Sequence, residues 1–132
     1  MNNIIYTAGL FDGEGTVTLS HGHRDDKYRN PMATMSSTTY ELMEFLKKNY
    51  GGSIRKHKVY KDHHKKAYSW GVTWNKALTF LENIQPYIKV PKKKRRINHI
   101  LKEYKKVTKR NGQYTEKESA LKLEFERRFF EL

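Results

Sequence analysis

The sequence predicts an α+β domain, a four-stranded antiparallel sheet with helices on one face, in the order α-β-β-α-β-β-α followed by further helices. Three patterns carry this. Thr16-Val17-Thr18-Leu19-Ser20 alternates polar and apolar residues, as a half-buried strand does. Gly51-Gly52 separates a helix-period stretch from two more alternating arms. Pro91 opens a basic stretch whose apolar residues Ile97, Ile100, Leu101 and Tyr104 recur at helical spacing. A sheet with one apolar face has to cover it with helices, and its other face stays open.

Taken in order, Ile4, Ile5, Ala8, Leu10 and Phe11 give a first helix over about 3–13, which Asp12 onward ends. In the strand that follows, Val17 and Leu19 face the core and Thr16, Thr18 and Ser20 face outward. The polar stretch His21 to Asn30 reads as a turn, and Pro31 admits a second strand through about Ser36. Ser37 or Thr38 with Glu41 forms a capping box for a helix carrying Leu42, Met43, Phe45 and Leu46. Ser53 to Tyr60 and Ala67 to Trp74 make a hairpin across Lys61-Asp62-His63-His64-Lys65-Lys66, with Tyr68, Trp70, Val72 and Trp74 on the core side. Asn75 caps a helix carrying Ala77, Leu78, Phe80, Leu81 and Ile84. C-terminal helices fill about 91–131, broken at Asn111-Gly112.

The 132 residues suffice for one domain, 1–132, with a modest core. No apolar run is long enough to span a bilayer and no leader-like segment opens the chain, so no membrane partner is expected. The absence of cysteine removes disulfides and thiolate metal sites and fits a reducing, intracellular setting whose compartment stays open. The formal charge of +13 points to a polyanionic partner, above all nucleic acid. Between Lys89 and Arg110 only Glu103 opposes a dense run of lysines and arginines, and that run lacks the Trp/Phe/Leu face of an interfacial membrane helix.

The run Ala8-Gly9-Leu10-Phe11-Asp12-Gly13-Glu14-Gly15 carries the chemistry. Gly9 and Gly13 lie four apart on one helix face, which lets two such helices approach until their backbones nearly touch. A symmetric pair would bring two Glu14 carboxylates together at one end of that seam, the donor set that hard divalent cations need for phosphodiester chemistry.

Thr7 to Gly15 resembles the signature of the LAGLIDADG homing endonucleases, with Thr7 in place of the first Leu and Glu14 in place of the second Asp. Two further segments agree. Thr34 to Ile54 looks like the family's strand, polar cap, helix and Gly-Gly turn. Tyr68 to Lys94, through Gln85-Pro86-Tyr87-Ile88, resembles its last strand, short helix and "Pro-Tyr-Leu" turn. The resemblance covers about Ile4 to Tyr104.

It implies a saddle-shaped sheet that reads double-stranded DNA. One motif per chain implies a homodimer on a long near-palindromic target, with Ala8, Gly9, Asp12 and Gly13 at the interface. Glu14 and the Gly13 carbonyl would bind Mg²⁺, with Mn²⁺ as a substitute and Ca²⁺ binding without turnover. The break would be staggered, with short 3′ overhangs, and the gene carried in an intron or intein. Asp12 also reads as structural, closing the helix end. The family's lysine after the turn aligns with Pro91; Lys89 and Lys92 flank it, and Lys92 is the favoured catalytic residue.

The strand residues that match the reading face are Thr16, Thr18, Ser20, Asn30, Met32, Thr34, Arg55 and His57. Arg55 is the best guanine partner, because its fork fits O6 and N7. Arg24, Lys27, Arg29, Lys58, Lys61, Lys65, Lys66, Lys92 and Lys93 are placed on phosphates. The run Lys92 to Arg96 also reads as phosphate neutralisation alone. An HNH metal site through His63, His64, Asn75 and His99 is not compact at that spacing, and scattered surface histidines account for them better. A non-cleaving binder on the same scaffold, a maturase or a transcription regulator, is the alternative function; Glu14 favours the enzyme.

Overall fold

The computed structural model describes residues 3–57 and 66–132. Its elements are α1 (Asn3–Glu14), β1 (Gly15–Ser20), β2 (Asn30–Ser37), α2 (Tyr40–Tyr50), β3 (Ser53–Lys56), β4 (Tyr68–Thr73), α3 (Trp74–Ile84), α4 (Pro91–Val107) and α5 (Glu116–Glu131), with a 3-10 turn at Gln85–Tyr87. The strands form one antiparallel sheet in the order β1-β2-β4-β3. This is the α+β arrangement that the sequence predicts.

Alternation sorts the two faces of the sheet. Val17, Leu19, Ala33, Met35, Trp70 and Val72 point into the core, where α1, α2, α3 and α4 cover them. Phe80 of α3 packs edge-on against Phe11 of α1 and Trp70 of β4, with ring centroids 5.6 and 5.1 Å apart. The Trp70 indole is buried without loss, because its N–H donates to the Gly51 carbonyl at 2.8 Å. That bond also fixes the Gly51-Gly52 turn, where φ is +76° and +88° and only glycine sits without strain.

α1 buries Thr7, Ala8 and Phe11 against this core. The Thr7 hydroxyl bonds the Asn3 carbonyl and the Tyr50 hydroxyl, at 2.8 and 2.6 Å, so a polar residue at the start of the motif is fully satisfied inside. The chain then passes straight from α1 into β1. A Cβ at Gly15 would lie 2.2 Å from the buried Phe11 ring, so this corner admits only glycine.

Three local expectations are corrected. Thr39, not Ser37 or Thr38, is the N-cap of α2, and no side chain caps it; the Ser37 hydroxyl instead accepts from the Thr39 amide at 3.0 Å. The capping box occurs at α5, between Thr115 and Glu118. β4 ends at Thr73, so Trp74 leaves the core side and stands 55% exposed as the first residue of α3, and Asn75 caps nothing.

α5 buries two charges in the stripe that holds Phe125 and Phe129. The Lys122 ammonium bonds the Thr108 hydroxyl and lies 4.2 Å from the centre of the Tyr104 ring, and Lys122 is 2% exposed. Burial lowers its pKa to about 8, against the opposing pull of Glu126. The unfolded lysine holds its proton to about 10.5, so between pH 8 and 10.5 the unfolded chain binds more protons. Stability therefore rises with pH across that window, and the penalty is complete below pH 8. Lys122→Met is expected to be at least as stable as wild type at pH 7. Its advantage should shrink by up to about 3 kcal/mol by pH 10.5, at 1.36 kcal/mol per pKa unit. Thermal melts of both proteins across this range check it, and parallel pH profiles would refute it.

Candidate active site and nucleic-acid interface

Glu14 is exposed on the last residue of α1. Around it the end of α1 is latched to the start of α4. The Asp12 carboxylate accepts from the Lys89 and Val90 amides at 2.7 and 3.1 Å. The Lys93 ammonium donates to the Phe11 and Asp12 carbonyls at 3.0 and 2.6 Å, a cation on the negative end of the helix. These bonds revise two expectations. The Asp12 carboxylate is engaged within the chain rather than offered to a partner, and Lys93 is held at the helix end rather than free for phosphate. Lys92, one residue earlier, is exposed in the first turn of α4.

The helix face expected to pair is also redrawn. Ala8 is fully buried against the chain's own core and cannot reach a second copy. Gly9 and Gly13 are exposed, and a Cβ built on either would meet nothing within 4 Å. Ile5 and Tyr6 flank them, 55% and 58% exposed. The exposed part of this helix face is therefore Ile5, Tyr6, Gly9 and Gly13.

The donor chemistry fits a hard divalent cation. Glu14 supplies a carboxylate, and the last carbonyls of a helix, Gly13's among them, have no partner within the helix. Mg²⁺ takes one or two such oxygens and keeps several waters. Among the described residues no three acids, histidines or cysteines converge, so one chain offers an open half-site and not a closed cage. His99 corrects the expectation of surface histidines: its ring stacks on Phe125 at 4.7 Å and bonds the Phe125 carbonyl at 3.0 Å. His63 and His64 lie outside the described residues.

The open face of the sheet is mostly polar, with Met32 its apolar side chain among the rows described. Registered rows run Thr18, Met32 and Thr73; Thr16, Thr34, Gly71 and Ser53; and Ser36, Ser69 and Arg55. No side chain in the middle row is larger than threonine, which lowers the floor of a concavity of about 420 Å³ lined by Met32, Thr34, Arg55, His57 and Lys76. The Ser69 hydroxyl bonds Ser36 at 2.8 Å and the His57 ring, so these groups are ordered before any ligand arrives. Ser20 donates to the Met32 sulfur at 3.6 Å. Sequence reasoning missed Ser36, Ser53, Ser69 and Thr73, although the core assignment of Trp70 and Val72 already left Ser69, Gly71 and Thr73 for the other face.

At the outer end of β1 and β2, Arg24 and Lys27 are exposed. Arg29 is instead bound inward: its amide donates to Glu126 of α5 at 3.1 Å, and its guanidinium donates to the Leu19 carbonyl at 3.3 Å and stacks on Phe130. Tyr28 donates to Ser119 of α5 at 2.8 Å. Asn30 is 2% exposed, which corrects its placement over base edges. Lys66 is exposed, and Lys58, Lys61 and Lys65 lie outside the described residues.

No protein-family model matches the chain, and no curated protein sequence matches it. Solved structures do. The homing endonuclease I-CvuI in complex with the I-CreI target aligns over 98% of this chain and 96% of its own, at 14% identity and a TM-score of 0.60. In a second I-CvuI complex the alignment spans 79% of this chain and 66% of that one, at 20% identity and a TM-score of 0.62. The archaeal intron-encoded homing endonuclease I-Vdi141I, complexed with DNA, aligns over 98% of both chains at 16% identity and a TM-score of 0.53. The LAGLIDADG homing endonuclease I-GzeII, with its DNA target, aligns over 98% of this chain but only 44% of its own, at 16% identity and a TM-score of 0.64. The chain has the fold of the LAGLIDADG homing endonucleases, in agreement with the resemblance of its motif.

Proposed function

We propose that the chain is a site-specific double-strand DNA endonuclease acting as a homodimer on a long near-palindromic target. It would hydrolyse phosphodiesters with a divalent metal and leave short 3′ overhangs. The observation that carries this is Glu14: an exposed carboxylate at the end of a helix face that is open at Gly9 and Gly13, on a chain with a polar, basic-flanked sheet face. The extent of the alignments supports a half-molecule, since the chain matches nearly all of I-CvuI and I-Vdi141I but 44% of I-GzeII.

Pairing through Gly9 and Gly13 brings two Glu14 carboxylates to one dyad, and symmetry then asks for a symmetric site. A bound Mg²⁺ would supply Lewis-acid polarisation and a hydroxide-like nucleophile at neutral pH. Glu14 and the Gly13 carbonyl would hold it, and Lys92, exposed in the first turn of the latched α4, is the lysine we assign to the reacting phosphate. Thr16, Thr18, Thr34, Arg55 and His57 lie over base edges, with Arg55 on guanine. Arg24, Lys27 and Lys66 hold phosphates, as do Lys58, Lys61 and Lys65.

Incubating the protein with a randomised duplex library tests the reading. Discrete staggered cuts at one near-palindromic sequence are expected with Mg²⁺ or Mn²⁺, and selective binding without cuts with Ca²⁺. Selective binding with no cut in any metal would assign the chain to the non-cleaving binders.

A further inference from the structure

Trp74 pairs a strained backbone with a large exposed side chain. It is the one described non-glycine residue with positive φ, at +54°, a region that strains a bulky side chain and that glycine or asparagine occupies readily. It is 55% exposed, takes no part in the core cluster, and makes no ring contact with a described aromatic residue. Neither the backbone nor the core benefits from an indole at this corner. The residue instead forms the wall of a concavity of about 670 Å³ whose rim carries Lys105, Lys109 and Arg110, with Glu82 as its one acid. Lys109 is occupied by Glu118 and the Gln113 carbonyl, at 3.0 and 2.8 Å. Lys105 and Arg110 are exposed and make no ion pair among the described residues.

The position separates this concavity from the motif end. Trp74 follows Thr73, whose row holds Met32 and Thr18, three rungs from the row of Gly15 and Met35 beside Glu14. Three rungs are roughly 10 Å of strand. An exposed indole that lines one concavity with two cations making no ion pair among the described residues matches the chemistry of a flipped or unpaired base flanked by phosphates.

We propose that Trp74, Lys105 and Arg110 form a second nucleic-acid site that takes an unpaired nucleotide segment, its base stacked on the indole and its phosphates on the two cations. The site is independent of whether the chain cuts DNA.

The chain has two tryptophans, and Trp70 is fully buried, so quenching of tryptophan emission by a bound strand reports on Trp74. Short oligouridine and oligothymidine strands serve as probes, and a difference between them identifies RNA or DNA as the source. In Trp74→Gly, which lacks that reporter, binding is read from the anisotropy of a labelled strand beside wild type, and it is expected to weaken about 5- to 150-fold, the range for losing one stacked base. The substitution should not lower the melting temperature, because glycine accepts the backbone. Lys105→Gln with Arg110→Gln should weaken binding and flatten its salt dependence. Failure of both strands to bind, an unchanged affinity in Trp74→Gly, or a lower melting temperature in that variant would each overturn the proposal.

Discussion

Glu14→Gln is expected to abolish cleavage while leaving binding to the same DNA within a fewfold of wild type. The substitution keeps the shape of the side chain and removes the anionic oxygen that a hard cation needs. Losing only an outer-shell partner of a metal ligand already costs about 10- to 100-fold. Loss of the ligand itself should therefore exceed about 100-fold in single-turnover cleavage. The proposed function puts binding on the sheet face and the basic turns and not on Glu14, so gel-shift affinity in Ca²⁺ is the control. Cleavage at near wild-type rate by Glu14→Gln would remove Glu14 from the chemistry. Loss of binding together with cleavage would make it structural.

The second large effect is expected at Gly9, and its sign differs between one chain and two. Within a chain nothing lies within 4 Å of the missing Cβ, and glycine in a helix interior is about 0.8–1.0 kcal/mol worse than alanine. Gly9→Leu should therefore leave the isolated fold intact or slightly firmer. In a pair the same leucine wedges the seam apart, and overpacking costs about 1–3 kcal/mol per site. Symmetry doubles this, so the dimer dissociation constant should rise by at least about 30-fold. Analytical ultracentrifugation beside circular dichroism separates the two effects. A folded variant that still dimerises would put the seam on another surface, and an unfolded one would mean that the helix face is part of the core.

Periodicity made the architecture legible. Strand alternation assigned Val17, Leu19, Trp70 and Val72 to the core, helical spacing found the stripes of α3 and α4, and Gly51-Gly52 marked a real stop. The failures have separate causes. Alternation was carried one residue too far at Trp74, where the chain turns instead of extending. The Gly9–Gly13 spacing was legible, but α1 buries polar Thr7 and exposes Ile5 and Tyr6, so no segregated apolar face says that Ala8 belongs to the inner side. Lys93 belongs to a run of five basic residues that look alike; its role depends on carbonyls some eighty positions away. Lys122 and Glu126 sit at core positions of α5 with partners in distant segments, and charged residues at such spacing ordinarily read as solvated.

The latch between α1 and α4 has a consequence for how such a chain changes over generations. Asp12, Lys89, Val90 and Lys93 hold the motif end from the helix side of the sheet. Thr16, Thr34 and Arg55 project from the opposite side and share none of those bonds. A lineage can therefore exchange its outward vocabulary one residue at a time without passing through a form whose acidic residue has come loose.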